Sequence, residues 1–277
     1  MKIVTWNVNG LRSVLSKDKT GAKTNGTETP NVLRTLLDEH APDIICLQET
    51  KCPCDLPDDN FSMPFRKILS STTKKGYSGV AVFSTTEPLE IHDDFAHNEE
   101  GRLLCLEYPK FFLVNAYVPN SKQDLSRLDY RVNTWEASVR DYLHDLQETK
   151  PGSQGTNPGN QGKSVIYVGD LNVAPTELDI HTVKGHARSH GYTMEERTAF
   201  AELKGQCGLV DAFRTLHPDQ KTYTWFSNFA KSRERNKGWR IDHVLVSKKL
   251  ETKLVSADIL GDYFGSDHVP VMVELKL

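Results

Sequence analysis

Val165-Ile166-Tyr167-Val168-Gly169-Asp170-Leu171-Asn172 is the stretch on which the fold turns. Its four apolar residues form a short strand, and the tight Gly-Asp-Leu-Asn turn that follows sets a carboxylate and an amide two residues apart, able to face one pocket. Five other places repeat the arrangement, each at or next to an apolar run: Thr5-Trp6-Asn7-Val8-Asn9, Leu47-Gln48-Glu49-Thr50, Asn115-Ala116-Tyr117-Val118-Pro119-Asn120, Arg240-Ile241-Asp242-His243 and Ser266-Asp267-His268. A rigid sheet displays a polar site at one rim through strands that end in carboxylates, amides and an imidazole. The chain is therefore expected to be α/β, with its strands converging on one site.

Outward from these runs, strands are expected over Lys2–Trp6, Ile44–Leu47, Val80–Phe83, Leu103–Glu107, Phe111–Ala116, Val165–Val168, Ile241–Val246 and Val271–Leu277. Between them lie helical patterns. Val32, Leu33, Leu36 and Leu37 follow Thr29-Pro30, with Thr29 as N-cap and Pro30 at the first helical position. After Ser126, Leu128, Val132, Trp135, Val139, Leu143 and Leu146 recur every three or four residues as one buried stripe. Thr193 and Glu196 form a capping box ahead of Phe200 and Leu203. Ser16–Thr29 and Pro151–Lys163 are expected to be mobile. Because the polar signatures fall on both sides of both, one domain spanning 1–277 is more economical than two.

Composition sets bounds. Of 277 residues, 38% are hydrophobic and 26% charged, which describes a globular protein with a sizeable core. No apolar run is long enough to cross a bilayer, and Met1 leads at once into Ile3-Val4, so a cytoplasmic protein is expected, nucleoid-associated in a prokaryote. Five cysteines read as reduced thiols, Cys46 and Cys105 in the core and Cys52-Pro53-Cys54 in a surface loop. The net charge of −3 does not suggest a nucleic-acid binder, but it says little about one face. Lys231, Arg233, Arg235, Lys237 and Arg240 surround Trp239, and Lys184, His186, Arg188 and His190 make a second cluster. A solvated loop and a binding face fit either run.

The polar residues suit metal-assisted hydrolysis. Glu49 is a natural hard-oxygen ligand for magnesium or manganese, although a lone Glu at a strand end also serves as a cap. Asp170 and Asn172 fit a pocket or an Asx turn. A buried Asp242 beside His268 would orient the ring and raise its proton affinity, suiting contact with a phosphate, and a purely structural pair looks the same. Asn7 and Tyr117 add neutral donors. No Gly-x-Ser-x-Gly elbow, phosphate loop or His-Glu-x-x-His zinc pattern is present.

Trp-Asn-Val-Asn-Gly-Leu-Arg at 6–12, Leu-Gln-Glu-Thr-Lys at 47–51, Gly-Tyr-Ser-Gly-Val-Ala at 76–81, Asn-Ala-Tyr-Val-Pro-Asn at 115–120, Gly-Asp-Leu-Asn-Val-Ala at 169–174, Gly-Trp-Arg-Ile-Asp at 238–242 and Gly-Ser-Asp-His at 265–268 resemble the exonuclease III family of apurinic/apyrimidinic endonucleases. The resemblance spans nearly the whole chain in the expected order. It implies a four-layer α/β sandwich of two mixed sheets packed face to face, flanked by helices, with the site at one rim. It also implies that Glu49 binds Mg2+, for which Mn2+ would substitute, helped by Asn7 and Asp267. Asp170 and Asn172 would orient the attacking water, His268 held by Asp242 would contact the scissile phosphate, and Tyr117 would donate to it.

The same resemblance places Trp225, Trp239 and Ile241 in an apolar slot for a base-free deoxyribose, with Arg12, Lys51 and Tyr77 at the DNA backbone. Core packing is the competing reading of the tryptophans. His186 and Ser189 stand where family members carry asparagines, and Gln123 and Phe229 where relatives insert into or brace the duplex. The implied partner is double-stranded DNA with abasic sites or blocked 3′ ends, bound by a monomer with no membrane. Two alternatives stay open at this point: a superfamily phosphodiesterase acting on a lipid or inositol phosphate, and a catalytically silent DNA-binding protein.

Overall fold

The computed structural model describes residues 1–24, 29–52, 63–93, 95–148 and 162–277. Its centre is two six-stranded mixed sheets. The first contains β1 (Lys2–Asn7), β2 (Ile44–Gln48), β3 (Phe65–Leu69), β4 (Val80–Ser84), β13 (Leu254–Ile259) and β14 (Val271–Leu275), in the order β13-β14-β1-β2-β4-β3. The second contains β5 (Glu90–His92), β6 (Leu103–Glu107), β7 (Phe111–Tyr117), β8 (Ser164–Asp170), β9 (Leu209–Asp211) and β12 (Asp242–Ser247), in the order β5-β6-β7-β8-β12-β9. The short pair β10 (Trp225–Phe226) and β11 (Gly238–Trp239) stands apart.

Alternation along the central strands makes four layers. Ile3, Ile44, Cys46, Val80 and Val82 of the first sheet meet Leu104, Leu113, Ile166, Val168 and Val244 of the second in one core. The intervening residues face outward, where Val4, Trp6, Ile45 and Leu47 pack against helices α1 (Leu11–Leu15) and α2 (Val32–His40). On the other side Cys105, Val114, Val165 and Tyr167 pack against α3 (Ala137–Gln147) and α4 (Met194–Gln206). With the core strands fully buried, the apolar area removed from water on both faces of each sheet is the main stabilising term. The short helix α5 (Ala212–Leu216) follows β9.

One polar stitch crosses the inter-sheet core. The Gln48 amide donates to Thr5 Oγ1 (2.8 Å) and Asn115 Oδ1 (2.7 Å), while Asn115 donates to the carbonyls of Ala81 (3.0 Å) and Leu47 (3.2 Å). Both side chains are fully buried, so these bonds answer the Asn115 amide and the Gln48 amide nitrogen, which would otherwise be costly to desolvate, while Gln48 Oε1 has no partner among the described residues.

Several expectations need correction. Asn31, not Thr29, caps α2 by accepting from the Arg34 N–H at 2.9 Å, so Pro30 precedes the helix. The stripe after Ser126 is not one continuous α-helix: Tyr130–Glu136 is a π-helical turn, which runs into α3. Leu128 and Val132 are half-buried, and Arg131 is fully buried. The Thr193 capping box stands as expected. Lys17–Thr24, expected to be mobile, is tied down: Lys17 pairs with Lys23, the Lys17 ammonium donates to Gly265 O (2.7 Å), and Asp18 accepts from Thr20 and Ala22. Cys52 is buried rather than on a surface loop, whereas Pro53, Cys54 and nearly all of Pro151–Lys163 lie outside the described residues.

Candidate active site

Strand register explains why residues far apart in sequence meet. Asn7 ends β1 opposite Gln48 at the parallel end of β2, and Tyr117 ends β7 opposite Asp170 at the parallel end of β8. Antiparallel β12 begins at Asp242, which pairs with Asp170. Glu49, Asn172 and His268 follow or precede these ends by one to three residues, so all arrive at one rim. Gly169 makes the close pairing of β7 and β8 possible there: its φ is +136°, and a Cβ would lie 1.9 Å from Ala116 O.

Asp170 is buried, accepting from Asn7 Nδ2 (2.8 Å) and the Asn172 N–H (3.0 Å). Burial and then the Asp242 charge push its carboxyl above the ordinary range, against the pull of His268 and the two hydrogen bonds. His268 Nδ1 donates to Asp242 Oδ2 at 2.9 Å, and its Nε2 lies 3.9 Å from Asp170 Oδ2. Burial alone would lower the imidazole pKa, but the Asp242 charge and hydrogen bond outweigh it, with help from Asp170 and Asp267. The ring is therefore held as a cation at neutral pH. Thr224 Oγ1 donates to Asp242 Oδ2 (2.5 Å), and Trp6 Nε1 donates to His268 O (3.0 Å), so both partners are fixed from behind.

Tyr117 donates to Glu49 Oε1, and burial followed by the Glu49 charge holds its phenol well above the usual range, so it is a proton donor rather than a phenolate. Glu49 Oε2 lies 3.0 Å from the Lys51 ammonium, which donates to Asn9 Oδ1 (2.5 Å), and Asn9 Nδ2 donates to Asp267 Oδ1 (3.0 Å). Burial raises the Asp267 carboxyl, but the His268 charge and the bonds from Asn9 and Trp225 outweigh it and keep the group ionised. Glu49, Asp267 and Asn9 thus gather round an existing positive charge.

Residues 4–268 match the Endonuclease/Exonuclease/phosphatase family. The chain belongs to this family. An exodeoxyribonuclease of Bacillus subtilis is 39% identical over 100% of both chains. A Danio rerio protein named DNA repair nuclease APEX1 is 39% identical over 100% of this chain and 83% of its own length. Among solved structures, an AP endonuclease from Leishmania major superposes with a TM-score of 0.81 at 31% identity, covering 100% of this chain and 87% of that one. The protein is accordingly an enzyme, a phosphodiester hydrolase of the exonuclease III-type nucleases, and its two sheets and outer helices form the sandwich the resemblance implies.

In this nuclease the rim that gathers these side chains opens into a cavity of about 610 Å3 lined by Glu49, Tyr117, Asp170, Asn172, Asp267 and His268. Trp225, Trp239 and Ile241 line the same cavity. The two indoles meet edge to face at 6.2 Å, and Trp225 Nε1 donates to Asp267 Oδ2 (3.2 Å). Trp239 is also a core residue, packed with Ala174, Ile180 and Tyr192, so it lines the cavity and packs into the core at once. Lys51, His186, Ser189 and Gln123 reach the cavity too. Arg12, exposed on α1, does not line it, nor does Tyr77, whose hydroxyl accepts from Arg102 (3.0 Å). Phe229 is 83% exposed outside it.

The cationic run divides. Lys237 lines the cavity, but Arg240 is buried between Asp179 (2.7 Å) and Asp211 (2.8 Å), and Arg233 donates to Gly261 O and Tyr263 O. Sequence reasoning missed Asn9 and Asn120 as site residues, although both sit inside quoted motifs. Asn120 Nδ2 donates to Asn172 Oδ1 (3.0 Å) and to His190 Nδ1 (3.1 Å).

Proposed function

We propose that the protein is a Mg2+-dependent DNA-repair phosphodiesterase that incises duplex DNA 5′ to abasic sites, leaving a 3′-hydroxyl and a 5′-deoxyribose phosphate, and that it also trims blocked 3′ ends or degrades from the 3′ terminus. The single observation that carries this reading is that the Asp170–His268 pair opens into the same cavity as the Trp225/Trp239/Ile241 wall. An apolar wall suits a bare deoxyribose, which needs little unstacking work.

Asp170 accepts the proton of the attacking water, its raised carboxyl being matched to that task. Cationic His268 binds the non-bridging oxygens of the phosphate, and the Asn172 and Asn7 amides sit beside Asp170 to fix the approach. Tyr117, protonated, donates toward the leaving oxygen or the phosphate. Glu49, Asp267 and the Asn7 amide oxygen are a hard donor set that fits a divalent cation, and Glu49 already faces the Lys51 charge. Once bound, Mg2+ or Mn2+ would offset the negative charge of the phosphate. Lys51 at the cavity mouth, with Arg12 and Tyr77 beyond it, follows the DNA backbone, and the chain acts as one monomeric domain.

The test is an end-labelled duplex carrying one synthetic abasic site, beside an intact duplex, with Mg2+ and with chelator. Mg2+-dependent incision 5′ to the lesion is expected. A folded protein that leaves the lesion intact would redirect the search to other phosphodiesters.

A further inference from the structure

Arg131 lies outside the cavity, fully buried in the π-helical turn Tyr130–Glu136. Its Nη2 donates to Leu171 O (2.8 Å) and Asn172 O (3.3 Å), the two carbonyls directly after Asp170. Asn172 stands in the left-handed region with φ +50°, where a non-glycine residue is held only if its surroundings fix it. Behind the guanidinium, Nη1 faces Glu136 and Nε faces Glu196, each at 3.4 Å.

Glu196 is itself a junction. It accepts from the Gly191 N–H (2.8 Å), from the Thr193 N–H and hydroxyl, and from Ser121 Oγ. One buried ionic hub therefore joins the segment after β7, the turn after β8 and the loop before α4. Each contributes to the cavity, through Asn120, Asn172 and Gly191 respectively. Burying a guanidinium with two carboxylates is costly, and apolar residues of similar volume often fill such space as well or better. π-turns of this kind recur at functional sites.

We propose that Arg131 is a positioning residue for phosphodiester cleavage: through Leu171 and Asn172 it holds the Asp170–Asn172 turn in register with Asn120 and His268. This rests on the nuclease reading above. Lysine at this position can reach a carbonyl or a carboxylate but cannot span both as the planar fork does.

The test compares the full parent chain with Arg131→Lys and with the triple variant Arg131→Met/Glu136→Gln/Glu196→Gln, which leaves none of the three groups charged and so tolerates folding better. Incision kinetics on the abasic duplex are measured with amide hydrogen exchange of residues 165–175. In each folded variant kcat falls about 10- to 100-fold, the scale of a small misplacement at a reacting centre, while KM stays within about threefold and exchange in the turn accelerates. A purely structural hub would lower the melting temperature and leave kcat unchanged. Parental kcat in either folded variant, or unchanged exchange, overturns the proposal. Because exchange needs no substrate, a parent chain that fails to incise would sink the nuclease reading while still deciding what Arg131 holds.

Discussion

Replacing Asp242 by asparagine isolates the charge that sustains the His268 cation. Asp242 is 1% exposed, and its Oδ2 accepts both from Thr224 Oγ1 (2.5 Å) and from His268 Nδ1 (2.9 Å). Thr224 Oγ1 already accepts from the Ile241 and Asp242 N–H groups, so its own proton must go to residue 242. An asparagine oxygen in the Oδ2 place keeps these two bonds, and what it loses is the charge. A hydrogen bond involving a charged partner contributes about 1.5–3 kcal/mol and a neutral one about 0.5–1.5 kcal/mol, so the difference is about 1–2 kcal/mol, or roughly 5- to 30-fold in rate. The amide N–H now facing the ring, where Oδ1 stood 3.1 Å from Nδ1, adds repulsion and brings the expected fall in kcat to about 10- to 100-fold. With burial no longer outweighed by that charge, the imidazole loses its proton at lower pH, and the alkaline limb of the pH–rate profile moves down. Single-turnover incision across pH 5 to 10 measures both effects. A kcat within twofold of the parent together with an unmoved alkaline limb would refute the argument that Asp242 supplies the charge.

The core pair of Arg240 with Asp179 and Asp211 gives a signature in stability. Burial opposes ionisation of both carboxylates, but the Arg240 charge and hydrogen bonds outweigh it and hold both below their ordinary values. Their contribution is therefore complete above the unfolded pKa of about 3.9 and lost as pH falls through the lower folded values. Urea midpoints should drop steeply below about pH 4, and an Asp211→Asn variant with the same slope as the parent would exclude this source. Gly169→Ala forces a methyl onto Ala116 O at 1.9 Å, and strain plus overpacking predict a loss of about 2–5 kcal/mol; a thermal melt matching the parent would show that β7 and β8 part without cost. Trp239→Ala should reduce the preference for abasic over intact duplex by about tenfold or more, measured by competitive incision, and unchanged discrimination would remove Trp239 from the slot.

What was legible in the chain follows from where each strand sits. The eight expected strands are realised, and all eight are interior strands of the two sheets, because burial on both faces writes a continuous apolar run into the sequence. The four unforeseen strands of the large sheets, β3, β5, β9 and β13, are the four edges. An edge strand meets solvent on one side, and Phe65–Leu69 and Leu254–Ile259 accordingly mix exposed and polar residues with apolar ones. Arg131 stands four residues before Trp135, at the spacing of the buried stripe, but a cation there reads as solvent-facing until its buried carboxylate partners Glu136 and Glu196 are known. Site residues were visible as polar strand ends, but not their partners: Tyr117 meets Glu49 68 residues away, and Asn7 meets Asp170 163 residues away. Arg240 looked like its cationic neighbours because charge alone does not tell which face of an extended segment points inward.

The cross-sheet stitch of Gln48 and Asn115 acquires a further meaning from the pairs at the rim. Asn7 with Asp170, Tyr117 with Glu49, and His268 with Asp242 each join a residue carried by one sheet to a residue carried by the other. The site is a seam, and its geometry reports the alignment of two slabs rather than the shape of either. A slip of the slabs by a fraction of a strand repeat would part all three pairs together while every backbone ladder stayed intact. Heat or pressure that loosens the interface would then silence the enzyme before any secondary structure melts, with the buried amides acting as the dowel that sets how far ahead of unfolding that silence comes.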